Sequence, residues 1–164
     1  MNKMLKLSAI TSIAVLGLAL LAAHAQRWKT GPRVINPPGS PSNLPFSNGL
    51  EVNGMLFVAG TQGQNAQGKV VPGGIEAETR QALENIRKIV QGAGMDMGNV
   101  VAVNVYLADA NEFGKMNSVY KTFFPDPKPT RTTVQVARLV NDARIEISAI
   151  AVRSNGVRPR TIGQ

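Results

Sequence analysis

Between residues 129 and 153 the chain reads PTRTTVQVARLVNDARIEISAIAVR, and polar and apolar side chains alternate in it twice. Over residues 131–137, Thr132, Val134 and Val136 fall on one face, with Arg131, Thr133 and Gln135 on the other. Over residues 144–152, Ile145, Ile147, Ala149 and Ala151 form one face, and Arg144, Glu146 and Ser148 begin the opposite one. A period of two in β-branched residues marks strands half buried in a sheet. The turn-forming pair Asn141-Asp142 between the runs predicts that the two strands pair antiparallel. With both apolar faces in one core, Arg131, Thr133, Glu146 and Ser148 meet on the other face.

The rest of the chain supplies what such strands pack against. Apolar runs at 50–52 and 55–59 flank Asn53-Gly54, a pair suited to the positive φ values of a type I′ turn, and predict a hairpin. Residues 75–91 predict a helix with one apolar stripe of Ile75, Ala82, Leu83, Ile86, Ile89 and Val90, ended by Gly92 and Gly94. Residues 99–107 alternate again and read as a strand. Asp109 opens a second helix, in which Phe113, Met116, Tyr120 and Phe124 recur at helical spacing as core. Pro125, Pro127 and Pro129 then force an irregular connection. Residues 26–44 form a Pro/Gly-rich arm without periodicity, and residues 154–164 a basic tail. The order ββαβαββ describes one α+β domain, with two helices packed on one face of a mainly antiparallel sheet. Val52, Val103, Val105, Ile150 and Val152 make the other face too apolar for full exposure, which points to oligomerisation.

Residues 1–25 stand apart. Lys3 and Lys6 precede an uncharged, largely apolar run at 7–23, and Ala23-His24-Ala25 has the small-x-small form of a cleavage site. This is the layout of a secretory signal peptide and predicts a periplasmic or secreted protein, with no stable membrane association after cleavage. An uncleaved anchor is the rival reading, because the run falls only slightly short of the roughly 20 residues that a span needs. The remaining 139 residues carry sixteen basic and ten acidic side chains, a net charge of +6. That balance alone does not choose among anionic small molecules, nucleic acid and membrane surfaces. An absence is more informative. The chain has no Cys, and its single His, His24, leaves with the leader. Cysteine nucleophiles, Ser-His-Asp triads and Cys/His zinc sites are thereby excluded. No carboxylate cluster suggests a hard-metal site either.

Four segments together resemble the RidA/YjgF family: Leu44-Pro45-Phe46-Ser47, TRQALENI at 79–86, NSVYKTFFPDPKPTRTTVQVARL at 117–139 and IEISAIAV at 145–152. The resemblance covers residues 45–153. It implies a chorismate-mutase-like α+β fold, a homotrimer with clefts between subunits, and hydrolysis of reactive enamines and imines such as 2-aminoacrylate. The products are a keto acid and ammonia, and no cofactor or metal takes part. The family's carboxylate-gripping arginine falls on Arg131, and a guanidinium suits that task because it is always charged and binds a carboxylate bidentately. Asn117 and Gly60 match the family's site asparagine and glycine, and Thr133 shares the face of Arg131. Phe46 and Ala59 stand where well-studied members have Tyr and Ser, so two hydroxyls are missing. Glu146 matches the first Glu of the family's EIEAIA ending. Ser148 replaces the second, to which the pattern assigns the hydrolytic water; Glu146 and Ser148 are thus the candidate catalytic pair. Losing a carboxylate at that position removes an acid/base group, an effect worth ~10²–10⁴-fold in rate. The alternative reading is therefore a non-catalytic exported binder of small carboxylates in the intersubunit cleft. RNA processing, sometimes attached to the family, is disfavoured by the lack of His, of a metal site and of an exposed aromatic ladder.

Intact mass measurement on the protein recovered from an expressing cell is expected to find Gln26 as the first residue. A retained leader would overturn the cleavage reading.

Overall fold

The computed structural model describes residues 31–41 and 43–154. These belong almost entirely to a compact unit that begins at Val34. The leader at 1–25, the start of the arm at 26–30 and the tail at 155–164 lie outside the described residues.

Six strands and two helices follow in order: β1 (Arg33–Ile35), β2 (Gly49–Val52), β3 (Met55–Gln62), α1 (Gly74–Gly92), β4 (Val100–Leu107), α2 (Phe113–Tyr120), β5 (Thr130–Gln135) and β6 (Ile145–Val152). They form one sheet in the order β1-β2-β3-β6-β4-β5. The core joins the apolar stripe of α1 and Met116, Val119 and Tyr120 of α2 to Leu56, Val58, Val103, Val105, Ile145, Ile147, Ala149 and Ala151 of the sheet. All six positions of the predicted α1 stripe are buried. This is the expected α+β arrangement, two helices on one face of a mostly antiparallel sheet, with β1 as a short strand within the segment read as an arm. The β2–β3 hairpin turns through Asn53 at φ 51° and Gly54 at φ 78°, as the Asn-Gly pair dictates.

The predicted pairing of residues 131–137 with 144–152 does not occur. β4 lies between these two strands, antiparallel to β6 and parallel to β5. Alternation reports which face a side chain takes; it does not report which strand lies alongside. The parallel β4–β5 pair is built by the crossover through α2, the connection that parallel strands require. Asn141 and Asp142 do turn the chain with positive φ, at 62° and 52°, but within a single 3₁₀ turn on the way to β6.

The predicted faces change as a result. Arg131 lies in register with Val103 and Ala149, and Thr133 with Val105 and Ile147, so both point to the helix side. Thr132 lies in register with Asn104 and Ser148, and Val134 with Tyr106 and Glu146, on the open side. Val103 and Val105 are therefore core residues at 2% and 0% exposure, not part of the open face. Val52, Ile150 and Val152 do lie on that face, where they are joined by Met55, Phe57 and Val134. The last three are all exposed.

One buried carboxylate ties α1 to the start of β6. Glu78 accepts a hydrogen bond from the Arg144 backbone N–H at 2.7 Å, while Arg144 Nη1 donates to Glu112 Oε1 at 2.7 Å. Burial pushes the Glu78 carboxyl above its usual range, against the pull of Arg144. A raised folded-state value adds stability below the ordinary value of 4.5, and that stability is lost as pH rises through the raised one. Glu78→Gln keeps an acceptor for Arg144 and sheds the dependence. Between about pH 4 and about pH 7 its Tm, relative to wild type, is expected to shift in the variant's favour in thermal unfolding.

Candidate functional site

The arginine half of the site is built where β5 forms the margin of the sheet. Arg131 Nη1 donates to Asn117 Oδ1 at 2.7 Å. Its guanidinium carbon lies 4.5 Å from the Tyr120 ring centre and 5.5 Å from that of Phe113. Both rings attract the cation through their π faces. Phe113, Asn117 and Tyr120 are spaced i, i+4, i+7, so one face of α2 presents all three to the strand. Tyr120 stacks in turn near Phe124, 4.8 Å between centres. The Tyr120 hydroxyl is pushed up to about 12 by burial, which outweighs the opposing charge of Arg131. Tyr120 Oη and Thr133 Oγ1 are buried without a hydrogen-bond partner among the described residues.

The carboxylate half is built on the open side, around an irregularity in β3. Val58 pairs with Ala149 and Thr61 with Ile147, so β3 carries one residue more than β6 in this interval. The extra residue makes a β-bulge, which reverses the side to which later residues point. Gln62 consequently lies opposite Glu146 instead of following Leu56 and Val58 into the core. The same step brings Gly60 so close to Glu146 that a Cβ there would overlap carboxylate Oε1. Gln62 Nε2 donates to the other oxygen, Oε2, at 3.0 Å. Ser148, next on this face, accepts from Asn104 Nδ2 at 3.3 Å.

Two cavities meet here. A cavity of about 880 Å³ is lined by Phe46, Ala59, Gly60 and Glu146 and extends past Gln62 to Asn85 of α1. A second, of about 360 Å³, is lined by Gly60, Glu146 and Ser148 with Tyr106, Arg138 and Leu139. Five of the expected site residues are thus gathered: Phe46, Ala59, Gly60, Glu146 and Ser148. The other three, Arg131, Asn117 and Thr133, stand on the helix side and line neither cavity. The expectation that Arg131 and Thr133 share a face with Glu146 and Ser148 is overturned by the β4–β5 register. Within one chain the two halves are separated by the sheet itself.

Three residues of the site escaped the sequence reading. Of the stripe expected to be core, Tyr120 is indeed buried there but Phe113, at the start of α2, is exposed; their spacing to Asn117 is the signal that places both beside Arg131. Gln62 carried no signal, because nothing in LFVAGTQ announces a bulge except its glycine.

Residues 39–153 match the model of the family described as Endoribonuclease L-PSP. The chain belongs to that family. The RidA/YjgF likeness read from its motifs is the same relationship seen in the relatives. The 2-iminobutanoate/2-iminopropanoate deaminase of Mus musculus is 41% identical over 123 residues, 74% of this chain and 91% of that one. The crystal structure of E. coli TdcF with bound serine superposes with a TM-score of 0.69 at 37% identity, covering 74% of this chain and 99% of that one. The E. coli YjgF gene product gives 0.69 at 35% identity, with the same coverage. These similarities extend over the family's whole domain, and their fold is the chorismate-mutase-like one expected from the sequence.

Gly60→Ala is expected to displace the Glu146 carboxylate and to lower stability by roughly 1–3 kcal/mol, the usual cost of overfilling a packed site. Denaturant unfolding and a variant structure read the two effects. An unmoved carboxylate at unchanged stability would refute the close approach.

Proposed function

We propose that the protein hydrolyses small 2-imino acids, and the enamines in equilibrium with them, to 2-keto acids and ammonia. The observation that carries this reading is a fixed guanidinium and a fixed carboxylate, both on the frame of a family whose relatives include a 2-iminobutanoate/2-iminopropanoate deaminase. In this reading Arg131 binds the substrate carboxylate through its remaining N–H groups. Water adds to the C=N carbon, its departing proton is taken by Glu146, and the C=N electron pair moves to nitrogen. Glu146 passes that proton to nitrogen and then relays the carbinolamine hydroxyl proton to it, the C–N bond breaks, and ammonia leaves as the hydroxyl becomes the keto oxygen. Ser148 accepts its hydrogen bond from Asn104, which frees its own O–H to hold the water. Imines are labile to water, so positioning and one proton-transfer group carry the reaction.

The separation of the halves supports a site completed between copies of the chain. The open face exposes Met55, Phe57, Val134 and Val152, an apolar surface suited to subunit contact. The margin strand β5, paired on one side only, is a second surface for it. We read the assembly as a homotrimer, following the family resemblance. We also propose export, on the layout of Lys3, Lys6, the apolar run and Ala23-His24-Ala25. Nucleic acid is not favoured as substrate. Among the described residues, the exposed phenylalanines Phe46, Phe57 and Phe113 lie in a loop, on β3 and on α2, and form no stacking ladder.

Complementation between variants tests the reading. Arg131→Ala and Glu146→Gln are each expected to release ammonia from freshly generated 2-aminoacrylate at least ~10²-fold more slowly than wild type. Refolded together, they should regain about a quarter of the wild-type rate, the share of random interfaces that join two intact halves. No recovery would place the site within single chains. Wild-type protein that binds pyruvate through Arg131 yet shows no turnover would establish the binder instead.

A further inference from the structure

We propose that Gln62 is the positioning residue that aims the Glu146 carboxylate, an inference that rests on the deaminase reading above. Gln62 is 9% exposed, and all four hydrogen-bonding positions of its amide are occupied. Oε1 accepts from Asn141 Nδ2 at 3.1 Å and from Gln64 Nε2 at 3.2 Å. Nε2 donates to the Val140 carbonyl at 2.9 Å and to Glu146 Oε2 at 3.0 Å. This surround decides which way the amide faces. Reversed, its oxygen would meet a carbonyl and a carboxylate, and its nitrogen would meet two N–H groups. Glu146 Oε2 is therefore always met by a donor.

The amide is itself anchored from behind. Asn85 Nδ2 of α1 donates to the backbone carbonyls of Gln62 at 3.3 Å and Gln64 at 2.8 Å, and Gln81 Nε2 donates to Asn85 Oδ1 at 2.9 Å. The chain of amides thus runs from the body of α1 to one oxygen of the carboxylate. The other oxygen, Oε1, lies against Gly60, which lines both cavities. A neutral donor suits this task. A lysine or arginine here would hold the carboxylate and also cancel its charge, and the charge is what takes a proton from water. Gln62 fixes Oε2 and leaves Oε1 its charge and its freedom to meet a water. With all four of its amide positions taken within the protein, its effect passes through Glu146.

The test is a double-mutant cycle on 2-aminoacrylate hydrolysis with wild type, Gln62→Met, Glu146→Gln and the double variant. Gln62→Met is expected to lower kcat on the order of 10- to 100-fold, the size of effect that follows from misplacing a reacting group. KM should stay within about twofold, because Arg131 is untouched. Once Glu146 is Gln, the Gln62 substitution should change nothing further. An equal fall in both backgrounds overturns the proposal, since Gln62 would then act through general packing. Full kcat in Gln62→Met beside an impaired Glu146→Gln overturns it as well, while leaving the deaminase reading intact. Full kcat in Glu146→Gln alone, or an inert wild type, strikes the deaminase reading itself and removes what Gln62 would aim. Should Gln62→Met fail to fold, Asn141→Gly replaces it in the cycle. Glycine keeps the left-handed backbone of residue 141, at φ 62°, and removes one of the two donors that orient the amide. A loss coupled to Glu146 supports the proposal, and an absent or uncoupled loss overturns it.

Discussion

The extra residue that β3 carries between Val58 and Thr61 governs the whole carboxylate half of the site. In strict alternation Gln62 would follow Leu56 and Val58 inward, where its amide would lack partners and cost several kcal/mol to bury. The bulge ends the core face of β3 one residue early and turns Gln62 outward. It also lowers the backbone of Gly60 onto Glu146, an approach only a residue without a side chain permits. Alternation lost at one point is thus converted into a carboxylate held on one side and open on the other.

The arginine half depends on a different constraint, the edge of the sheet. β5 pairs on one side only and is reached through the α2 crossover. Inward-facing positions at such a margin meet the flank of α2, not the apolar interior. A guanidinium can therefore stand on the core side, with an amide and two aromatic rings for neighbours. Thr133 is drawn to the same side by register alone. The sheet that supports both halves is also what keeps them apart.

Much of this was legible in the residues. The apolar stripe of α1, the Asn53-Gly54 turn and the strand at β4 follow from side-chain spacing, because burial imposes that spacing directly. The family motifs pointed to five residues that line the two cavities, and to Arg131, Asn117 and Thr133, which stand on the other side of the sheet. What the spacing does not hold is partnership. Arg131 and Glu146 each sit in a period-two run, and the nearer strand in sequence seemed the natural neighbour; a crossover through α2 inserted β4 between them. Exposed Val134 and inward Arg131 then inverted the expected faces, since at a margin the polar side chain found better company than the apolar one. Gln62 was invisible for a related reason. Parity along a strand is a running count, and one unannounced bulge resets it.

Arg131 is held by Asn117 and by two rings before any ligand arrives. A free arginine side chain carries about 2 kcal/mol of rotamer entropy, and ordering it on binding ordinarily subtracts from affinity. Here most of that ordering belongs to folding. The difference weighs most for the smallest ligands, whose few atoms offer little contact area with which to offset it. In the proposed reaction, a cation already held at the rim of the sheet would let a molecule of a few carbons be recognised by its carboxylate alone, with the rest of its shape left for the opposite half to judge.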